Sequence, residues 1–224
     1  MKLRCVIDKP RNCQINMSID EMFFIKDEFV PILRFYMWTE PSYTIGYFQK
    51  KSDIKNENNY PIIRRMTAGL AVLHDMDLSY SLIVSDSIWP YIYDQEQTYK
   101  IIHNEIKKAL FDIKIICDNV DKIDTSHKDI SCIKTFYKDD VFLNGKKLVG
   151  SCQRRRGKRI LVEGSIHIKL TDEQINIFAS KFFENISKFL NCDIEVNKLL
   201  KQEILDAGII ASSKYNTEQW NGLF

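Results

Sequence analysis

The chain has 224 residues, enough to bury a substantial hydrophobic core, and reads as one domain spanning 1–224. Hydrophobic residues make up 45% and charged residues 28%, which excludes a disordered chain, while a net charge of +2 gives no global pull toward nucleic acid or an anionic membrane. The six cysteines, at 5, 13, 117, 132, 152 and 192, have neither metal-ligand nor disulfide-framework spacing. No stretch is apolar enough for a signal peptide or a membrane span, so a soluble cytoplasmic protein with free thiols is expected.

Residues 15–29 carry apolar side chains at 15, 19, 22, 23, 25 and 29, which predicts an amphipathic helix with Asn16 and Ser18 as start signals and Pro31 beyond its end. Aromatic-rich runs at 32–38 and 43–48, split by Glu40-Pro41-Ser42, read as an antiparallel strand pair. Strands are expected at 62–65, 71–74 and 78–83, with a tight turn at Thr67-Ala68-Gly69. Helical spacing covers 95–110, and Ile113-Lys114-Ile115-Ile116 alternates like a strand.

Asn144-Gly145 between 140–143 and 147–149 is the strongest local signal, because both residues accept the positive φ of a two-residue hairpin turn. A strand at 160–166 follows the basic run at 154–159, which reads as a solvated loop able to meet an acidic partner. Two helices, at 172–190 and 196–207, complete an α+β fold, a mixed sheet flanked by helices, without internal repeats.

No GxxxxGK[ST], GxGxxG or GxSxG is present, so phosphate-loop and serine-elbow chemistry find no support, and cysteine and lysine remain as candidates. Four segments in order resemble the lipoate-attachment superfamily, which includes lipoate-protein ligases, octanoyltransferases and the catalytic domain of biotin-protein ligases. They are Asn16-Met17-Ser18-Ile19-Asp20-Glu21; Arg34-Phe35-Tyr36-Met37-Trp38 through Thr44-Ile45-Gly46-Tyr47-Phe48-Gln49; Arg64-Arg65-Met66-Thr67-Ala68-Gly69-Leu70-Ala71-Val72-Leu73-His74-Asp75 followed by Leu78-Ser79-Tyr80-Ser81; and Asp140 through Gln153, containing Asn144-Gly145-Lys146-Lys147-Leu148-Val149-Gly150-Ser151-Cys152-Gln153.

The resemblance implies an acyl tunnel walled by the arginine-glycine segment and the lysine hairpin. Lys147 stands at the family's catalytic position, with Arg65, Thr67, Ala68, Gly69, Leu70, Ala71, His74, Gly150 and Ser151 as substrate-binding residues and Asp75 beside His74. A lysine ammonium there can polarise the acyl carbonyl and exchange protons with attacking or leaving groups. Two positions depart from the family, Ala68 where a second glycine is usual and Leu70 where glycine or arginine is usual, and the expected consequence is a narrower tunnel or a changed cargo preference.

Within the superfamily, one octanoyltransferase branch carries a cysteine ahead of the lysine hairpin, and Cys132 stands at that offset, although Ile133 replaces the usual phenylalanine. The resemblance therefore implies octanoyl transfer from octanoyl-acyl carrier protein through a Cys132 thioester to a lysine of a lipoyl domain or glycine cleavage H protein, with no cofactor. The alternatives are an ATP- and Mg-dependent lipoate-protein ligase, an octanoyl or lipoyl amidotransferase between carrier proteins, and a non-catalytic acyl-binding protein. Cys152 is expected to pack against the sheet, and Cys5, Cys13, Cys117 and Cys192, which lie outside the motifs, are assigned no role.

Overall fold

The computed structural model describes residues 1–118 and 139–224. A seven-stranded sheet runs in the order β10-β1-β2-β6-β9-β8-β7, and a small sheet in the order β4-β3-β5. The strands of the large sheet are β1 (Lys2–Ile7), β2 (Ile32–Tyr36), β6 (Leu78–Ser85), β7 (Val141–Leu143), β8 (Lys146–Arg156), β9 (Arg159–Ile166) and β10 (Asp193–Val196). β1 pairs in parallel with β10 and β2, and every other pairing in that sheet is antiparallel.

Side-chain alternation feeds two cores. Leu33, Phe35, Leu82 and Val162 point to the side covered by α2 (Gln95–Asp112) and α3 (Asp172–Leu190), whereas Ile32, Tyr36, Ile83 and Leu161 meet α1 (Cys13–Ile25) and α4 (Lys201–Ile210). The mixed sheet flanked by helices is the α+β architecture expected, and the Asn144-Gly145 hairpin forms with φ of 53° and 74°.

Several expectations are corrected. β2 and β3 (Ser42–Ile45) are not a pair: β1 and β6 occupy both edges of β2, while β3 leaves for the small sheet between β4 (Ile62–Arg64) and β5 (Val72–His74). α1 starts at Cys13, three residues before Asn16, because the Asn12 side chain caps it by accepting from Ile15 N at 3.0 Å, and it ends at Ile25. Residues 113–116 are not a strand. Lys114 takes φ +66° and the Ile115 amide returns to the Leu110 carbonyl, so these apolar residues seal the end of α2. The second C-terminal helix begins at Lys201, since β10 claims 193–196, and it is followed by a π turn and α5 (Glu218–Asn221).

One buried cation ties the first segments together. Arg34 is fully buried, pairs with Asp8 Oδ2 and Asp20 Oδ1 at 2.9 Å each, donates to Asn16 Oδ1 at 2.7 Å and lies over the Tyr36 ring at 4.0 Å. Asn16 and Asp20 of the first motif, and the arginine of the second, are thus one structural knot joining α1 to β2. A buried guanidinium is tolerated because its donors are met by carboxylate and amide oxygens.

Candidate active site

β8 is the spine of the site. Its Lys147, Ser151, Gln153 and Arg155 face an outer cleft of about 550 Å³, closed by Tyr99 and His103 of α2, by Asp139 and Asp140, and by the turn residues Ala68, Gly69 and Leu70. Beside it lies a smaller chamber of about 40 Å³, walled by Met17, Tyr36, Trp38, Arg65, Val72, His74, Gly150, Glu163 and Gly164 among others. Gly69, Leu70, Ser151 and Cys152 line both, so these four form the neck between them.

The turn at 67–70 is wrapped around Arg65. Its guanidinium donates to the Ala68 and Leu70 carbonyls at 2.9 Å each, to Thr44 O at 3.2 Å, and through Nε to Thr67 Oγ1 at 3.1 Å and Cys152 Sγ at 3.2 Å. Gly69 takes φ +95°, a conformation open to glycine. A Cβ on Gly46 would lie 1.9 Å from the Gly69 carbonyl oxygen, so two backbones touch there with no room for a side chain. This contact explains the glycine of the Gly46-Tyr47-Phe48-Gln49 segment, whose Gln49 side chain accepts from Gly46 N at 3.0 Å.

Lys147 is 5% exposed, and its Nζ lies 2.6 Å from Asp140 Oδ2. Lys147 is therefore one half of a buried ion pair, and Asp140 is a site residue the sequence reading left without a role.

His74 is held, but not by Asp75, which is exposed. Its ring contacts Thr44 Oγ1 and Asp77 Oδ2 at 2.9 Å each and stacks on Trp38 with centroids 3.9 Å apart. Met76 at φ +63° turns the chain so that Asp77 reaches back. Burial opposes ionisation of Asp77, but the His74 ring and the Ser165 hydroxyl outweigh it and hold the carboxyl well below the usual range.

Glu163 behaves oppositely: burial, reinforced by the charge of Asp20, pushes it up to about 7 against the opposing Thr67 hydroxyl and Arg65. Of the expected residues, Arg65, Gly69, Leu70, His74, Gly150 and Ser151 line the chamber, Ala68 and Lys147 line the cleft, and Thr67 and Ala71 sit behind the wall. Cys132 lies outside the described residues.

Cys152 is not simply packed against the sheet. Its half-buried thiol sits in the neck, 3.0 Å from Thr67 Oγ1, and joins the Arg65 clamp to β8. The basic run is also less free than expected: Arg154 donates to Met66 O at 2.8 Å, Arg155 to Ile92 O, and Arg159 to Asp27 O at 3.0 Å, leaving Arg156 and Lys158 exposed. Gln153 Oε1 and Arg155 Nη2 are buried without a hydrogen-bond partner among the described residues.

The sequence reading missed His103 and Glu163 because neither lies in a motif; strand and helix periodicity alone could have pointed them inward. Among the described residues no cluster of three His, Cys, Asp or Glu could hold a metal ion, and no helix is long and apolar enough to cross a membrane.

Residues 12–202 match the model of the lipoyl protein ligase A/B catalytic domain. An octanoyltransferase LipM of Oceanobacillus iheyensis is 32% identical over 176 residues, covering 74% of this chain and 64% of that relative. One of Anoxybacillus flavithermus is 28% identical over 94% of this chain and 95% of its own length. Among solved structures, a bi-partite lipoate protein ligase from Thermoplasma acidophilum, described with its E2 lipoyl domain, shares the fold with a TM-score of 0.74 at 21% identity, covering 100% of this chain and 98% of that one. By the extent of the family match and the identity to these relatives, this chain belongs to the lipoyl protein ligase A/B catalytic domain family.

Proposed function

We propose that this protein is an octanoyltransferase of protein lipoylation, moving an octanoyl group from octanoyl-acyl carrier protein to a lysine of a lipoyl domain or glycine cleavage H protein. The observation that carries the reading is Lys147, held by Asp140 at the wall of a cleft that meets a smaller chamber at the neck. The kinship with octanoyltransferases supports the choice of acyl group. The free thiols of Cys5, Cys13, Cys117 and Cys192 favour a reducing, cytoplasmic setting.

In this reading the Cys132 thiolate attacks the carbonyl carbon of the donor thioester, the bond to the carrier sulfur breaks, and the departing sulfur takes up the proton that Cys132 gave up. The target amine then attacks the Cys132 thioester, the C–N bond forms, the C–S bond breaks, and one proton of the amine ends on the Cys132 sulfur. Lys147 supplies positive charge to the oxygen that becomes negative in both tetrahedral intermediates. Thioester exchange and amide formation need no ATP.

Donor and enzyme without acceptor should give a mass adduct of one octanoyl group, mapped to Cys132 and removed by neutral hydroxylamine. Cys132→Ser should lose both adduct and turnover. Transfer from free octanoate only in the presence of ATP and Mg would overturn the reading in favour of a ligase, and release of octanoyl from one lipoyl carrier to another, without use of the acyl carrier protein, in favour of an amidotransferase.

A further inference from the structure

A hydrogen-bonded chain crosses the neck beside Lys147 and has no part in the scheme above. His103 Nδ1 lies 2.6 Å from the Asp139 carbonyl oxygen, His103 Nε2 lies 2.7 Å from Ser151 Oγ, and Ser151 Oγ lies 2.6 Å from the Tyr80 hydroxyl. A carbonyl oxygen only accepts, so the Nδ1 nitrogen of the imidazole carries the proton and donates it to Asp139. Nε2 is then an acceptor, Ser151 donates to it, and Tyr80 donates to Ser151. One lone pair of Ser151 Oγ remains for a donor in the neck, and Ser151 borders both chamber and cleft.

That point, where chamber and cleft meet, is within reach of the carbonyl of an acyl group lying in the cleft. An attacking amine arrives there with protons to lose, and the Lys147 ammonium, paired with Asp140, has charge but no vacancy for a proton. We infer that Ser151 and His103 form the proton acceptor for the incoming lysine amine, Ser151 as the catalytic residue that touches the amine and His103 as the base behind it.

The inference rests on the proposed transfer reaction and concerns its second half. As the C–N bond forms, the nitrogen passes a proton to Ser151 Oγ while the Ser151 proton moves to His103 Nε2. When the C–S bond breaks, the departing thiolate takes up one proton and the imidazolium gives one up, leaving serine hydroxyl and neutral imidazole as they began. Burial, with the charges of Lys147 and Lys107, pushes His103 down to about 4, partly offset by the Asp139 carbonyl, so the ring is neutral at pH 7 and holds the proton only in passing, as a relay. The groups facing it among the described residues are Lys147 and Ser151 from β8, Lys107 and the stacked Tyr99 ring from its own helix, Tyr80 through Ser151, and the Asp139 carbonyl.

The test separates the two half-reactions. In His103→Gln the acyl adduct on Cys132 should still accumulate, while its discharge to an apo lipoyl domain falls about 100-fold or more. Ser151→Ala should do the same, and Ser151→Thr, which keeps a hydroxyl, should recover most of the rate. Ser151→Ala also serves where His103→Gln fails to fold. Discharge to small amines of decreasing pKa should become insensitive to both substitutions, because a weakly basic amine arrives neutral and sheds its remaining proton readily. Equal loss for strong and weak amines, or discharge unchanged in both variants, would overturn the inference. Absence of any adduct in the unsubstituted enzyme would instead overturn the Cys132 thioester.

Discussion

The small chamber and the outer cleft share four wall residues and are finished in opposite ways. Around the chamber, Arg65, Thr67, His74, Ser79 and Ser165 bind one another, Asp77 or backbone carbonyls, and Trp38 Nε1 donates to Ser79 Oγ at 2.9 Å. The cleft keeps a buried ammonium–carboxylate pair, a histidine at the end of a proton path, and two buried polar atoms, on Gln153 and Arg155, without partners among the described residues. Most polar groups around the chamber are satisfied, Asp77 Oδ1 excepted, and hold its walls rigid, whereas the cleft stores the Lys147–Asp140 pair and two unpartnered polar atoms where bonds are made and broken.

Lys147→Ala breaks the cleft side of this comparison with the largest effect. Turnover should fall about 100- to 10,000-fold. Because Asp140 is left buried without its cation, stability should also drop, by roughly 3–5 kcal/mol. Urea unfolding beside steady-state transfer reads both, and Lys147→Arg, which keeps a cation for Asp140, should restore more of the stability than of the turnover.

Acid titration sets the two regions against each other. His103, held near 4 against an ordinary value of 6.5, contributes stability that is present above pH 6.5 and lost as pH falls toward 4, because the unfolded chain binds the proton first; His167, also pushed down to about 4 by burial, acts the same way. Glu163, held near 7 against 4.5, contributes stability that is present below pH 4.5 and lost as pH rises through 7. Each amounts to something on the order of 3 kcal/mol across its window. Between pH 4.5 and 6.5 the loss on acidification should be steepest in Glu163→Gln, intermediate in the unsubstituted protein and flattest in His103→Gln, as read from unfolding midpoints. Identical slopes in the three would show that these groups do not titrate differently on folding.

The smallest effect is expected at the neck. Leu70 lines both spaces and Ala68 only the cleft, so Leu70→Gly should account for most of the change seen in the double Ala68→Gly, Leu70→Gly variant. Preference for lipoyl over octanoyl donors should rise about 10-fold as the neck widens. Selectivity unchanged in competition between the two donors would mean that Leu70 does not gauge the cargo.

Sequence reasoning reached the parts of this molecule that are local. Asn144-Gly145 dictates its hairpin, and the arginine-glycine and lysine segments lie together at one neck, as the resemblance implied. Parallel pairing of β1 with β10 joins residues 191 positions apart and leaves no local signature, and β10 is exposed along its whole length, with no buried alternation to find. The knot around Arg34 showed only as scattered polar residues in an apolar context, and Asn16 was read as a helix start because asparagine usually caps rather than fills a helix. His103 was invisible for a related reason: its meaning depends on Ser151, 48 positions away on a different element.

The contact between Gly46 and Gly69 bears on how such a protein can drift. The atom that forbids a side chain on Gly46 is a main-chain carbonyl oxygen, so no substitution elsewhere can make room without moving the turn that Arg65 holds at three acceptors. Leu70, one residue further on, has no such bond to its side chain in the wall. One lip of the neck is therefore frozen and the other free to vary, which lets the size of the accepted cargo wander through generations of sequence change while the reacting groups keep their places.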